Sequence, residues 1–111
     1  MNDLQMDWQH LHELADGDDE FESELLQMFV EDTFSHIELL KVAIAANDIQ
    51  QLKREAHHLK GTSGNVGAVA MRLAAEKLEH LALIQDYQGS AKVVSGLEES
   101  IKHIQSCLIN K

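Results

Sequence analysis

Apolar residues return every three or four positions along most of this chain, and that rhythm confines it to helices whose buried faces must pack together. Val94, Leu97, Ile101, Ile104 and Leu108 keep a strict heptad. Leu26, Phe29, Thr33, Ile37, Leu40 and Ile44 form a second stripe, with Glu22, Glu31, Asp32 and Glu38 placed off it. Leu52, Ala56, Leu59, Ser63 and Val66 form a third, and Met71, Ala74, Leu78 and Leu81 a fourth. The spacing predicts a short helix from Trp8 to Ala15 and a long one from Asp19 to Ala46. It predicts a third from Ile49 to Gly64 and a fourth ending near Asp86-Tyr87-Gln88-Gly89. A fifth should run from Ser90 to Ile109. Asp48, with Gln51 three residues on, resembles a capping box, and Gly64-Asn65-Val66-Gly67 reads as a break between helices. Four substantial helices on short loops describe an all-α, antiparallel four-helix bundle with a short additional N-terminal helix as a lid.

Nothing suggests a second unit, so residues 1–111 are read as one domain. No proline interrupts it, and strand signals, repeats, linkers and low-complexity segments are absent. Trp8 is expected to anchor the first helix, Met28 and Met71 to fill core, and Cys107 to act as a small packing residue. A single cysteine offers no internal disulfide, which points to a reducing compartment. The formal charge of −10 excludes the basic footprint of a nucleic-acid binder and disfavours anionic membranes. The acidic start, Met1-Asn2-Asp3-Leu4-Gln5-Met6-Asp7, is unlike a signal peptide, and no apolar run approaches the ~20 residues of a membrane span. The expected setting is the cytoplasm, and a small polar functional face favours a monomer.

The third helix carries the chemistry. At about 100° per residue, His57 points away from the stripe of Leu52, Ala56, Leu59 and Ser63. Lys53, Arg54 and Lys60 lie near it along the helix, as do Gly61 and Gly64. Imidazole in water is largely neutral and nucleophilic at neutral pH, so an exposed histidine attacks phosphorus without an activating base. The charge that a phosphoryl group brings would meet Lys60, and Lys53 and Arg54 from the preceding turn. Glycine inside a helix costs about 1 kcal/mol relative to alanine. Gly61 and Gly64 are therefore read as clearing the approach of a macromolecule. The basic strip on an acidic protein suits an acidic partner surface.

Ala56-His57-x-Leu59-Lys60-Gly61, followed by Gly64-Asn65-Val66-Gly67-Ala68, resembles the signature of histidine-containing phosphotransfer (HPt) domains of bacterial multistep phosphorelays. Leu25-Leu26-x-Met28-Phe29, Ala43 with Asp48, and Leu78-Glu79 extend the similarity over most of the chain. The resemblance implies that His57 takes a phosphoryl group on Nε2, supported by Lys60 and Gly61. It implies receiver domains of hybrid kinases and response regulators as partners, with any Mg²⁺ in the receiver's acidic pocket. In related domains a polar side chain at the position of Glu79 hydrogen-bonds the ring's other nitrogen; here it is a carboxylate. No cofactor or metal of its own is expected.

Other readings compete. His58 is the rival phosphoacceptor, but it lies about 100° from His57, on the flank with Glu55 and Thr62. Glu55-x-x-His58 has the spacing of a di-iron ligand pair, yet no second Glu-x-x-His follows. His10 and His12 make a poor metal pair, His36, His80 and His103 read as isolated surface residues, and Glu20, Glu22 and Glu24 as a solvated face. A histidine-kinase phosphoacceptor domain would place an acidic residue and then proline after its histidine, which this chain lacks. Room for an ATP-binding domain is also missing, so autokinase activity is not expected. A bundle that binds receivers without carrying phosphate is the alternative function. Met1 and the full set of helices favour a free-standing protein.

Overall fold

The computed structural model describes residues 6–109 and contains five helices: α1 (Trp8–Leu14), α2 (Asp19–Ala45), α3 (Ile49–Val66), α4 (Val69–Leu83) and α5 (Tyr87–Ile109). Most of the acidic N-terminal segment lies outside the described residues. Aspartates start every helix but α4, whose N-cap, Ala68, has no side-chain cap. Asp7 accepts from the His10 N–H at 2.9 Å, Asp18 from Glu20 and Phe21, and Asp48 from Gln51 at 3.1 Å. Each satisfies a backbone donor that the first turn leaves without a partner. At 1.5 Å per residue α2 is about 40 Å long, which accounts for the 42 Å long axis of the molecule.

Three boundaries differ by more than one residue from the sequence expectation, and one of them is the end of α4, which falls at Leu83 rather than near Asp86. The third helix passes through Gly64 and ends only at Gly67, whose φ of 79° is left-handed. There the Gly67 and Ala68 N–H groups bond back to Gly64 and Ser63 carbonyls at 3.3 and 2.8 Å, a Schellman-type ending. The last helix starts at Tyr87 rather than Ser90, because Asp86 caps it by accepting from the Gly89 N–H at 2.8 Å.

α2 packs against α3 and α5, and α4 packs against the same two, closing an antiparallel four-helix bundle. α1 lies against α2 and α3. Leu26, Phe29, Ile37 and Leu40 meet Leu52, Ala56 and Leu59 in the core, with Val94, Leu97, Ile101 and Ile104 from α5. On α4 the fully buried positions are Met71, Ala75, Leu78 and Ala82, so Ala74 and Leu81 sit on the flank of the stripe. Trp8 is not the anchor of α1: it is 38% exposed, and Met6, Leu11 and Ala15 are the residues buried there. Met28 is 65% exposed and Cys107 is also exposed, so neither packs in the core. Among the described residues no helix is long and apolar enough to cross a membrane.

Lys41 on α2 and Glu98 on α5 make an ion pair at 2.8 Å. That hydrogen bond is the chief cause of a raised Lys41 pKa and of a lowered Glu98 pKa. Both groups are solvent-accessible, so the pair marks which helices are neighbours more than it stabilises them.

The hydroxyls of Thr33 and Ser63 are buried without a hydrogen-bond partner. A buried unsatisfied hydroxyl costs about 1–3 kcal/mol, while a methyl of the same shape has no such requirement. Thr33→Val should therefore raise stability by about 1 kcal/mol, or several degrees in a thermal unfolding scan. A lower unfolding temperature would mean that the hydroxyl is satisfied after all.

Candidate functional site

Leu52, Ala56 and Leu59 are completely buried, and this fixes the rotation of α3. His57 is turned outward, its side chain 78% exposed. Glu79, from the middle of α4, lies beside it. One carboxylate oxygen is 3.2 Å from His57 Nδ1, and the other is 3.2 Å from Lys60 Nζ. The structure thus brings His57, Lys60 and Glu79 into one constellation spanning two helices.

The contact selects a tautomer. An ionised carboxylate only accepts hydrogen bonds, so His57 Nδ1 must be the donor. In the neutral ring the lone pair is then on Nε2, the nitrogen that faces solvent. Lys60, held by the same carboxylate, leaves a cation one helical turn away.

The remaining predicted site residues separate. Arg54 is exposed and Lys53 half-buried, both on the turn before His57. Gly61 is exposed, and a Cβ there would meet nothing within 4 Å, so it borders open space. Gly64 does not. A Cβ at Gly64 would come 3.3 Å from Arg72 Cδ, so its missing side chain leaves room for the Arg72 side chain of α4.

His58 occupies a different environment. Its Nε2 is 2.9 Å from Asp32 Oδ2 on α2, and its ring stacks on His36 with centroids 3.8 Å apart. His36 reaches Glu55 through Nδ1 at 2.5 Å. His36 is therefore not isolated, and Glu55 is buried rather than lying on a solvated flank. Glu22 is likewise not simply solvated, since His12 Nδ1 lies 3.2 Å from its carboxylate. The four-residue step from Asp32 to His36 and the three-residue step from Glu55 to His58 were visible in the sequence. Which faces of α2 and α3 oppose each other was not. Beside this cluster runs a groove of about 300 Å³ lined by Leu25, Met28, Phe29, Thr62 and Val66 among others.

An outward imidazole on a four-helix bundle, with a cation one turn away, is the arrangement of a phosphotransfer domain. Residues 24–107 match the Hpt domain family, and the chain belongs to it. It is 26% identical over 96 residues to histidine-containing phosphotransfer protein 2 of Arabidopsis thaliana, covering 84% of this chain. The match spans 62% of the length of that plant protein. The fold superposes on the crystal structure of histidine-containing phosphotransfer protein B (HptB) from Pseudomonas aeruginosa PAO1 with a TM-score of 0.86. The two are 26% identical, and the superposition covers 96% of this chain and 92% of that one.

Two glycines in the motif region should respond oppositely to alanine. A Cβ at Gly67 would sit 2.8 Å from the Asp7 carbonyl oxygen, on a left-handed backbone. Gly67→Ala should cost about 1–3 kcal/mol in urea unfolding, whereas Gly61→Ala should add about 0.5–1 kcal/mol. Equal effects would contradict the different surroundings assigned to them.

Proposed function

We propose that this domain is a phosphorelay carrier whose phosphoacceptor is His57. A receiver domain presents a phosphoaspartate, and the Nε2 lone pair attacks its phosphorus in line. The P–O bond to the aspartate breaks as the N–P bond forms, and the carboxylate departs with the bonding pair. His57 keeps its Nδ1 proton, so the phosphorylated ring is a cation, and Glu79 lies where it can balance that charge. A second receiver's aspartate reverses the chemistry: its oxygen attacks phosphorus and the N–P electron pair returns to Nε2. Both linkages store comparable free energy, so direction follows the phosphorylation state of the partners.

The observation that carries this reading is the pairing of His57 Nδ1 with Glu79, which leaves Nε2 open to solvent. His58 lacks that freedom, because its own Nε2 faces Asp32. Lys60 supplies positive charge to the incoming phosphoryl group, and positioning and electrostatics supply most of phosphoryl-transfer catalysis. Lys53 and Arg54 extend the basic strip toward an acidic receiver surface, and Gly61 leaves room for it. Gly64 borders the His57 face and leaves room for the Arg72 side chain of α4. The domain is consumed and regenerated, without ATP binding or autokinase activity of its own, and works as a cytoplasmic monomer spanning residues 1–111. The competing function is an adaptor that binds receivers without carrying phosphate.

Mixing the protein with a radiolabelled, phosphorylated receiver separates these. Label should move onto wild type and His58→Gln but not onto His57→Gln. Receiver binding without label transfer would establish the adaptor. Lys60→Ala should fold normally and slow transfer by on the order of tenfold or more, the scale of one lost charge-assisted contact. Transfer at the wild-type rate would remove Lys60 from the mechanism. Glu79→Ala should slow transfer similarly while leaving circular dichroism unchanged.

A further inference from the structure

The seam between α2 and α3, one residue from His57, holds a cluster that phosphotransfer does not use. Asp32 and His36 stand one turn apart on α2, and His58 faces them from α3. His58 Nε2 lies 2.9 Å from one Asp32 oxygen, and His36 Nε2 lies 3.4 Å from the other. Glu55, only 6% exposed, meets the far side of the His36 ring at Nδ1.

Counting donors shows two ways in which this arrangement can be satisfied. Both nitrogens of His36 face carboxylates, and a neutral imidazole has a single N–H. A doubly protonated His36 beside a neutral His58 with its proton on Nε2 would meet the carboxylates, with the two rings stacked at a centroid distance of 3.8 Å. A divalent cation satisfies the same groups without a charged ring. It lets both rings stay neutral, turns the two Nε2 lone pairs into ligands, and balances the two carboxylates.

We propose that Asp32, His36 and His58 form a site for a divalent transition-metal ion of the zinc class, with Glu55 orienting His36 from behind. The three donor atoms lie within 4.8 Å of one another. Tetrahedral zinc, with bonds of about 2.0–2.2 Å, wants donors about 3.3 Å apart, so splaying the stacked rings by rotation about their side-chain bonds brings them into range. Glu55 accepting from Nδ1–H fixes the tautomer that aims the His36 Nε2 lone pair at the ion, the carboxylate–histidine–metal relay of many such sites. Two imidazoles and one carboxylate suit Zn²⁺, Co²⁺ or Ni²⁺ better than Mg²⁺ or Ca²⁺. Water from the adjoining groove completes the coordination. The ion would join α2 to α3 and hold His58 Nε2 away from phosphate.

The rival cluster, His12, Asp19 and Glu22, offers one imidazole on the exposed side of α1 and α2 and serves as the control. The test titrates Zn²⁺ into chelator-treated protein by calorimetry, with thermal unfolding in parallel. Wild type should bind one equivalent and unfold at a higher temperature with zinc. Glu55→Gln should weaken binding about 10–100-fold, and His36→Gln and His58→Gln should weaken it further. His12→Gln should change nothing. In a measurement that needs no variant, Ni²⁺ should broaden the ring signals of His36 and His58 in wild-type NMR spectra before those of other histidines. Absence of stoichiometric binding would overturn the proposal. So would binding that survives both His36→Gln and His58→Gln, or broadening that begins at His12.

Discussion

Burial of one face of α3 is the constraint on which everything else rests. Leu52, Ala56 and Leu59 have no solvent exposure, and removing a leucine side chain from water is worth about 1.5–3 kcal/mol. Rotating the helix by one residue, about 100°, would give up several kcal/mol, far more than any preference of a histidine for water. The register is therefore set by the core, and the chemistry follows from it. His57 is delivered to solvent, His58 to Asp32, and Glu55 to the buried side of His36.

The two adjacent histidines show how one helical step separates two kinds of chemistry. His57 has a carboxylate on Nδ1 and an exposed ring, the geometry on which its proposed role as nucleophile rests. His58 has its Nε2 engaged and its ring stacked, which makes it part of an interhelical cluster. Glu79 reaches both His57 and Lys60, so a single carboxylate from α4 sets the tautomer and holds the cation in place. The surrounding charge is strongly acidic, with a net charge of −10, and Lys53, Arg54 and Lys60 are a local exception to it. Attraction toward the acidic receiver surface proposed as partner would then be short in range and confined to this strip.

The helices and the outward aim of His57 were legible because both depend on local periodicity and on one strong stripe. Boundaries were less so. Gly64-Asn65-Val66-Gly67 read as a break, but helices tolerate glycine and α3 stops only at the far end of that stretch, at left-handed Gly67. Gly89 lies inside α5, which the Asp86 cap starts. Met28, Trp8 and Cys107 have the chemistry of core residues, and only the packing of neighbouring helices decides that they remain exposed. Glu79 could be named from the family pattern, yet its bridge to both His57 and Lys60 depends on how α4 docks. The Asp32, His36, Glu55 and His58 cluster was hidden for the same reason: its members come from two helices whose relative rotation no single helical wheel contains.

The central claim is that the free lone pair of His57 is on Nε2 and that phosphorus arrives there. Residue-resolved long-range ¹H–¹⁵N NMR of the imidazole rings, recorded before and after phosphorylation by a small phosphoramidate, tests it most directly. The account predicts a proton on Nδ1 of His57 throughout, with phosphorus coupling appearing at Nε2 of that ring alone. Phosphorus on Nδ1, or on His58, would contradict it.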